Sequence, residues 1–310
     1  MLVRRPNRVT DDYGTVGGGA NNLAGDGDDV TTNSRYATVS GGRGNASTAY
    51  GATVGGGDSN TAGGIQATVA GGGSNNASGD QATVAGGWDN IASDMYDTVS
   101  GGIGNAATGS YSMVPGGGAN TAAGPWSFAA GRNAKANHRG SFVWADSTSA
   151  DFASGGNNQF WVRAYGGVFF KTSASTGPFC PANGTDFLPF SDRNAKENFE
   201  PIDNRQILEK VAALSVTKWN FKQQDDSWRH IGPMAQDFYA AFDVGYDNLH
   251  ISSLDADGVA LAAIQGLYQI VQEKDSEIAE LKLEKDTEIT ELKTRLAALE
   301  SAVTRMADQQ

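Results

Sequence analysis

Valines punctuate the first half of the chain at a fixed interval. Val39, Val54, Val69, Val84, Val99 and Val114 stand 15 residues apart, with Gly pairs in phase at 41–42, 56–57, 71–72, 86–87, 101–102 and 116–117. Asparagines follow at 45, 60, 75, 90, 105 and 120, and Thr precedes the valine in every unit but the last, where Met113 stands. Val16 in "GTVGGGANNLAG" opens an earlier unit, separated by the insertion "DGDDVTTNSR", and Phe128 and Phe142 mark degenerate units further on. A strict period of this length predicts a solenoid in which each unit is one coil that cannot bury its apolar side alone. Alternation in "YATV" predicts Ala37 and Val39 inward, with Tyr36 and Thr38 outward. The Gly pair suits a turn at positive φ, and stacked asparagines suit a ladder bonded to backbone groups of their own and neighbouring turns. One valine and one or two alanines per coil make a thin core, which predicts that several chains associate and share it.

Beyond the repeats the pattern changes. Residues 158–172, "NQFWVRAYGGVFFKT", predict two short strands turning at Gly166-Gly167, within a β stalk, and 173–186 reads as loop. Pro201 limits any helix begun at Asp192 to about two turns. Asp203 can cap a helix with Ile207, Leu208, Val211 and Leu214 on one face. "SVTKWNF" and "WRHIG" predict a hairpin around "QQDDS", and Pro233 can open a helix through Phe242. A final helix is predicted from near Asp257, with a seam of Ile264, Leu267, Val271, Ile278, Leu281, Ile289, Leu292, Leu296, Leu299, Val303 and Met306. Spacings of three and four mark a coiled coil over 257–306. Its middle is an 11-residue repeat, "EKDSEIAELK" then "EKDTEITELK", which relaxes or reverses the supercoil locally. Lys274 and Lys285 fall on or near the seam. A trimer is the expected state because it suits the solenoid.

Composition sharpens the division. Nearly all of the 41 glycines precede residue 190, and the net charge of −12 divides into −3 before residue 191 and −9 after it. An acidic chain is a poor nucleic-acid binder, and Arg4, Arg5 and Arg8 are too few to change that. One cysteine, Cys180, excludes an internal disulfide framework, and three scattered histidines form no metal set; no metal and no cofactor are expected. No apolar run is long enough to insert in a membrane, and "MLVRRPNRVTDDYG" lacks the apolar stretch of a Sec signal. The domains expected are an N-terminal leader at 1–13, repeats at 14–146, a β stalk and linker at 147–190, and a C-terminal domain at 191–310.

The units "ATVSGGRGNAS", "ATVGGGDSNTA" and "ATVAGGGSNNA" resemble the heads of trimeric autotransporter adhesins, whose repeats form a left-handed parallel β-roll packed as a trimer. The 15-residue period and the chain's last residues, "RMADQQ", depart from those adhesins. Nine-residue calcium-binding repeats do not fit, and a disordered Gly linker would not keep phase. An ice-binding solenoid would need a full Thr-x-Thr array, of which only half exists. After each Gly pair one position varies, and Trp88 and Ile103 there are candidates for receptor contact, with a cell-surface glycan or protein as ligand, or for packing on a neighbouring chain.

The C-terminal part carries "SDRNAKENFEPID", "ILEKVAALSVTKWNFK", "RHIGPMAQDFYAAF" and "DGVALAAIQGLYQIVQ". Together these closely resemble the intramolecular chaperone domain of endosialidase-type phage tail spikes. The resemblance implies a domain that assembles a homotrimer and then cuts itself off before the motif's serine. It places the scissile bond at Phe190–Ser191, the nucleophile at Ser191 and the base at Lys196. It makes the enzyme a single-turnover serine peptidase of the Ser-Lys type, and makes His230 and Gln236 supporting residues. Asp192 and Arg193 either orient the loop or serve as a helix cap and a solvated charge. On an ideal helix five residues turn about 500°, so Ser191 must lie outside the helix or Lys196 must come from another chain. The implied setting is a phage tail or extracellular appendage, made in the bacterial cytoplasm and attached through the N-terminus. A permanent, uncleaved trimer clamp and an ice-binding solenoid remain the alternatives.

Overall fold

The computed structural model describes residues 6–173 and 177–307 and divides into two units after Leu188. In the first unit, each 15-residue coil contributes two short strands to two parallel sheets. The valine sheet joins Thr15–Val16, Thr38–Val39, Thr53–Val54 and their successors; the alanine sheet joins Leu23–Ala24, Ala46–Ser47, Thr61–Ala62 and theirs. Pairing stays in register, Thr on Thr and Val on Val, with one coil between partners. A third row of single bridges runs from Arg43 through Asp58, Gly73, Trp88 and Ile103 to Gly118.

One coil shows why the sequence folds this way. Ala52 and Val54 are fully buried while Thr53 between them faces out, as alternation requires. At Gly57, φ is +93° and a Cβ would fall 2.1 Å from Gly72 O, so only glycine fits the corner. Asn60 then turns inward, fully buried. Its Nδ2 donates to Gly56 O and Gly72 O, both at 2.9 Å, and its Oδ1 accepts from the backbone N–H of Asn75 at 3.0 Å. The same three bonds recur at Asn75, Asn90 and Asn105. A polar ladder thus satisfies the corner carbonyls, with its amides buried between coils.

The thin core is closed within one chain. Every valine from Val39 to Val114 has no exposed surface, nor do Ala62, Ala77 and Ala92 opposite. This corrects the expectation that several chains must share the core: the asparagine ladder and tight coil stacking complete the enclosure.

A second corner falls on Tyr36, Gln66, Gln81, Tyr96, Tyr111 and Trp126, all at φ between 55° and 65°. This is left-handed backbone without glycine. Each strained residue is held by its own N–H, as when Gln81 donates to Ile65 O at 2.8 Å and Tyr111 to Met95 O at 2.9 Å.

The hairpin expected over 158–172 does not form. Phe160–Arg163 instead adds in parallel to Phe142–Ala145 and extends the valine sheet. Phe160 stacks on Phe142 at 4.8 Å, and buried Arg163 pairs with Asp146 at 3.0 Å, which ties this strand to the coil before it. Gly167–Phe169 pairs antiparallel with Phe179–Pro181, inside the stretch that reads as loop. Residues 174–176 of that stretch, and Arg4 and Arg5 of the expected leader, lie outside the described residues.

In the second unit, α1 spans Asn204–Ala213, and the Asp203 side chain accepts from the N–H groups of Arg205 and Gln206 as its cap. Thr217–Trp219 and His230–Gly232 form an antiparallel pair. Helix α2, Ala235–Phe242, buries Phe238 and Phe242, and α3 runs from Ser253 to Ala307. It starts four residues before the expected Asp257, because Ser252 and Asp255 cap each other: Asp255 N–H donates to Ser252 Oγ at 3.1 Å and Ser252 Oγ to Asp255 Oδ2 at 2.6 Å. Helix α1 packs on α3 where Gly266 lets the backbones meet; a Cβ there would lie 2.3 Å from Asn204 O. Asn204 Nδ2 donates to Gln265 Oε1 at 3.0 Å, and Arg205 pairs with Glu273. On the other side of α3, the strip from Ile264 to Met306 is exposed. Lys274 and Lys285, on that strip, turn aside to Glu277 and Glu288, each at 2.7 Å. Among the described residues no helix is long and apolar enough to cross a membrane.

Candidate active site

Ser191 lies just before a single 3-10 turn, Arg193–Ala195, shorter than the two turns Pro201 would allow. Asp192 builds that turn: its Oδ1 accepts from Asn194 N at 2.9 Å and Asn194 Nδ2 at 3.2 Å. The turn closes with Lys196 N–H on Arg193 O at 3.2 Å, after which Lys196 is extended (φ −118°, ψ 151°). Reversal of the chain folds the lysine back over the serine. Lys196 Nζ lies 2.6 Å from Ser191 Oγ, within one chain. A hydroxyl against an amine at this separation is the geometry in which a proton can pass from nucleophile to base.

Around this pair the surface is open. Residues 182–203 are all exposed, Phe190 and Phe199 among them. Arg193 places its guanidinium 5.6 Å from the Phe199 ring centre, a contact that holds the far side of the turn.

The other sequence candidates sit elsewhere. His230 lies in the second hairpin strand, its ring 4.8 Å from that of Trp219 and its Nε2 3.0 Å from Gln224 Oε1. Gln236 lies in the first turn of α2 and lines a cleft of about 1080 Å³ with Trp219, Phe221, Met234 and His250. No hydrogen bond among the described residues joins either one to Ser191 or Lys196. His250, which lines the same cleft, is a residue that sequence reading did not single out. Its Nδ1 contacts both Asp247 oxygens, at 2.9 and 3.0 Å. The Leu249 backbone N–H, and after it the His250 side chain, lower the Asp247 pKa. The spacing Asp-x-x-His was in the sequence, but in a loop without periodicity nothing marked it.

On the solenoid, Trp88 and Ile103 occupy adjacent rungs of the third bridge row, 53% and 60% exposed. The Trp88 ring covers Gly73, where a Cβ would lie 2.2 Å from a ring carbon. Glycine one coil earlier is what lets the indole lie on the surface.

The molecule is therefore a repetitive parallel β-solenoid followed by a small α+β segment and a long helix. Residues 191–244 match the family described as chaperone of endosialidase, and the match begins at Ser191. Comparison with curated proteins gives no match.

Proposed function

We propose that this chain is a trimeric fibre- or spike-like interaction protein whose C-terminal domain, 191–310, assembles three chains and then removes itself at Phe190–Ser191. The observation that carries the reading is the 2.6 Å approach of Lys196 Nζ to Ser191 Oγ, at the residue where the family match begins. Ser191 Oγ attacks the carbonyl carbon of its own preceding peptide, Phe190 C=O, while Lys196 takes the hydroxyl proton. The C–N bond breaks as Lys196 returns that proton to the Ser191 nitrogen, leaving Phe190 as an ester on Oγ. Water hydrolyses the ester, giving a Phe190 carboxylate and a Ser191 with a free amine and hydroxyl. Each chain turns over once.

A lysine base works only when neutral, and in water about one lysine in 2,500 is neutral at pH 7. Removal from water lowers a lysine pKa by up to about 3–5 units. In one chain the whole segment is exposed, so the desolvation comes from neighbouring chains, and assembly gates cleavage. The exposed apolar strip of α3 supports such an assembly, since a helix with so long a bare stripe buries it against partners. His230 and Gln236 then act as supports of the assembled site. The N-terminal domains, leader 1–13, repeats 14–146 and linker 147–190, attach to a phage tail or appendage and present Trp88 and Ile103 to a surface glycan or protein.

Intact mass after expression tests this. The parent yields a product of 120 residues beginning at Ser191, and Ser191→Ala stays full-length. A parent that remains full-length on denaturation, like the variant, would instead favour a permanent, uncleaved clamp.

A further inference from the structure

We infer that the outer face of the valine sheet is the surface through which three copies of this chain meet, turned toward a threefold axis. This rests on the trimeric reading above and identifies its contact surface. The register ladder fixes one outward position per coil along this sheet: Thr in the first six coils, then Met113, Phe128, Phe142 and Phe160. The neighbouring outward position runs from Gly17 to Val162, holds small residues over most of its length and includes exposed Trp144 near its end. Neither position carries a charged residue in any coil.

That absence discriminates among the faces. Next to a threefold axis a side chain meets its own copies in the other two chains, so any charge there faces two like charges. The alanine sheet carries Arg8 and Lys135 on its outward position, and the third bridge row carries Arg43 and Asp58. Of the three rows that line the coil, only the valine sheet keeps its outward positions free of charge: Arg163 at the end of its last strand is buried on Asp146, and Arg132 falls on the third bridge row, paired with Gly118. Its Thr and small-residue portion is flat, and its last coils are apolar. Phe128 stacks on Phe142 at 4.5 Å and Phe142 on Phe160 at 4.8 Å, with Met113 and Trp144 exposed nearby. Depletion of charge with enrichment of aromatic residues and Met is the composition of an interface core. A graded face of this kind, apolar at one end, also gives association a starting point among otherwise similar coils.

The test uses the full chain with Cys180→Ser, which leaves no other thiol, carrying either Thr83→Cys on the valine sheet or Thr61→Cys on the alanine sheet. Both threonines face outward and are half-buried in one chain. After native mass spectrometry has established the oligomer, a short bismaleimide is added and chains are resolved under denaturing conditions. Chain-to-chain linkage is expected for Thr83→Cys and not for Thr61→Cys. In parallel, Phe142→Lys is expected to leave cleavage intact while the released 1–190 product loses its trimer. Linkage through Thr61→Cys alone, or through neither, in a particle shown to be trimeric overturns the face assignment and leaves the trimer standing. A monomeric parent removes both. Thermal hysteresis from the trimeric parent, abolished by Thr83→Lys, would show a face open to ice and overturn the inference.

Discussion

Replacing Asn75 with Ala removes one rung of the buried amide ladder and measures what couples adjacent coils. Three hydrogen bonds go: Nδ2 to Gly71 O at 2.9 Å, Nδ2 to Gly87 O at 3.0 Å, and Asn90 N–H to Oδ1 at 3.0 Å. They are not equivalent. Gly87 O keeps the bond from Gly73 N–H at 2.9 Å, so it loses little. The Asn90 N–H is left facing a gap among fully buried groups, which costs about 2 kcal/mol. The two carbonyls together add about 1 kcal/mol, and the missing amide group about 1 more in packing. The total is roughly 4 kcal/mol, or about a thousandfold in the local opening equilibrium. Because each coil touches only its neighbours, the loss stays local. Native-state hydrogen exchange on peptides spanning 75–105, against peptides spanning 38–55 as internal reference, reads it directly. A thousandfold acceleration in the first set with none in the second is expected. Acceleration below tenfold would refute the reasoning, because the amide ladder would then contribute less than a single hydrogen bond. Asn75→Asp keeps the acceptor for Asn90 but turns a carboxylate on two glycine carbonyls, so it is expected to rescue nothing.

Further outcomes can be checked. Lys196→Arg keeps the charge but installs a group that does not deprotonate in proteins; cleavage is expected to vanish by intact mass while native mass still shows the assembled precursor. Asp97 is buried in a position held by Ala82 one coil earlier, and burial raises its pKa despite bonds from Ser112 and Asp94. Its ionisation therefore opposes folding above that raised pKa, and Asp97→Ala is expected to raise the melting temperature at pH 7 and to lose that advantage in acid. Asp146 has the opposite sign: the Tyr165 backbone N–H, Thr148 and Arg163 hold its pKa down to about 2. Its contribution is present above the ordinary carboxylate value and is lost as pH falls through about 2, so Asp146→Asn is expected to lower melting at pH 5–7 and to match the parent near pH 2. Gly266→Leu places carbon against the Asn204 carbonyl at the α1–α3 crossing; chain assembly, and cleavage with it, are expected to fall together.

What the sequence disclosed follows from how many jobs each residue type can do. Val54, Gly57 and Asn60 each answer one demand, for a buried branched side chain, a left-handed corner and a carbonyl partner, so their period gave the coil directly. The second corner stayed hidden because Gln66, Tyr96 and Trp126 share a backbone conformation that their side chains do not advertise. Local alternation showed Phe160–Arg163 as a strand but not its partner; the stack on Phe142 and the Asp146–Arg163 pair chose the coil over the hairpin. The early start of α3 was readable, since Ser252 and Asp255 stand at capping-box spacing, and only the apolar seam drew the boundary too late. At the candidate site, the spacing of Ser191 and Lys196 required either a serine outside the helix or a lysine from another chain. Asp192 as a helix cap was one of two readings open in the sequence; that the capped turn returns Lys196 to Ser191 shows only in the fold.

The two halves pose complementary problems. Sliding one solenoid past another by a single coil leaves Val against Val, Gly pair against Gly pair and Thr against Thr over most of the length. Only positions that differ between coils resist: the Arg43–Asp58 pair, Trp88 over Gly73, and the change from Thr98 to Met113 and Phe128 on the valine sheet. These are few and scattered along the length, so the repeats discriminate weakly among registers and an outside reference must choose. A helix of 55 residues with Lys274 and Lys285 on its apolar strip supplies one, because a shifted neighbour places apolar side chains over those amines. Under the proposed function, cleavage that waits for assembly acts only on chains already in register, and removal of the reference would trap the threaded fibre kinetically.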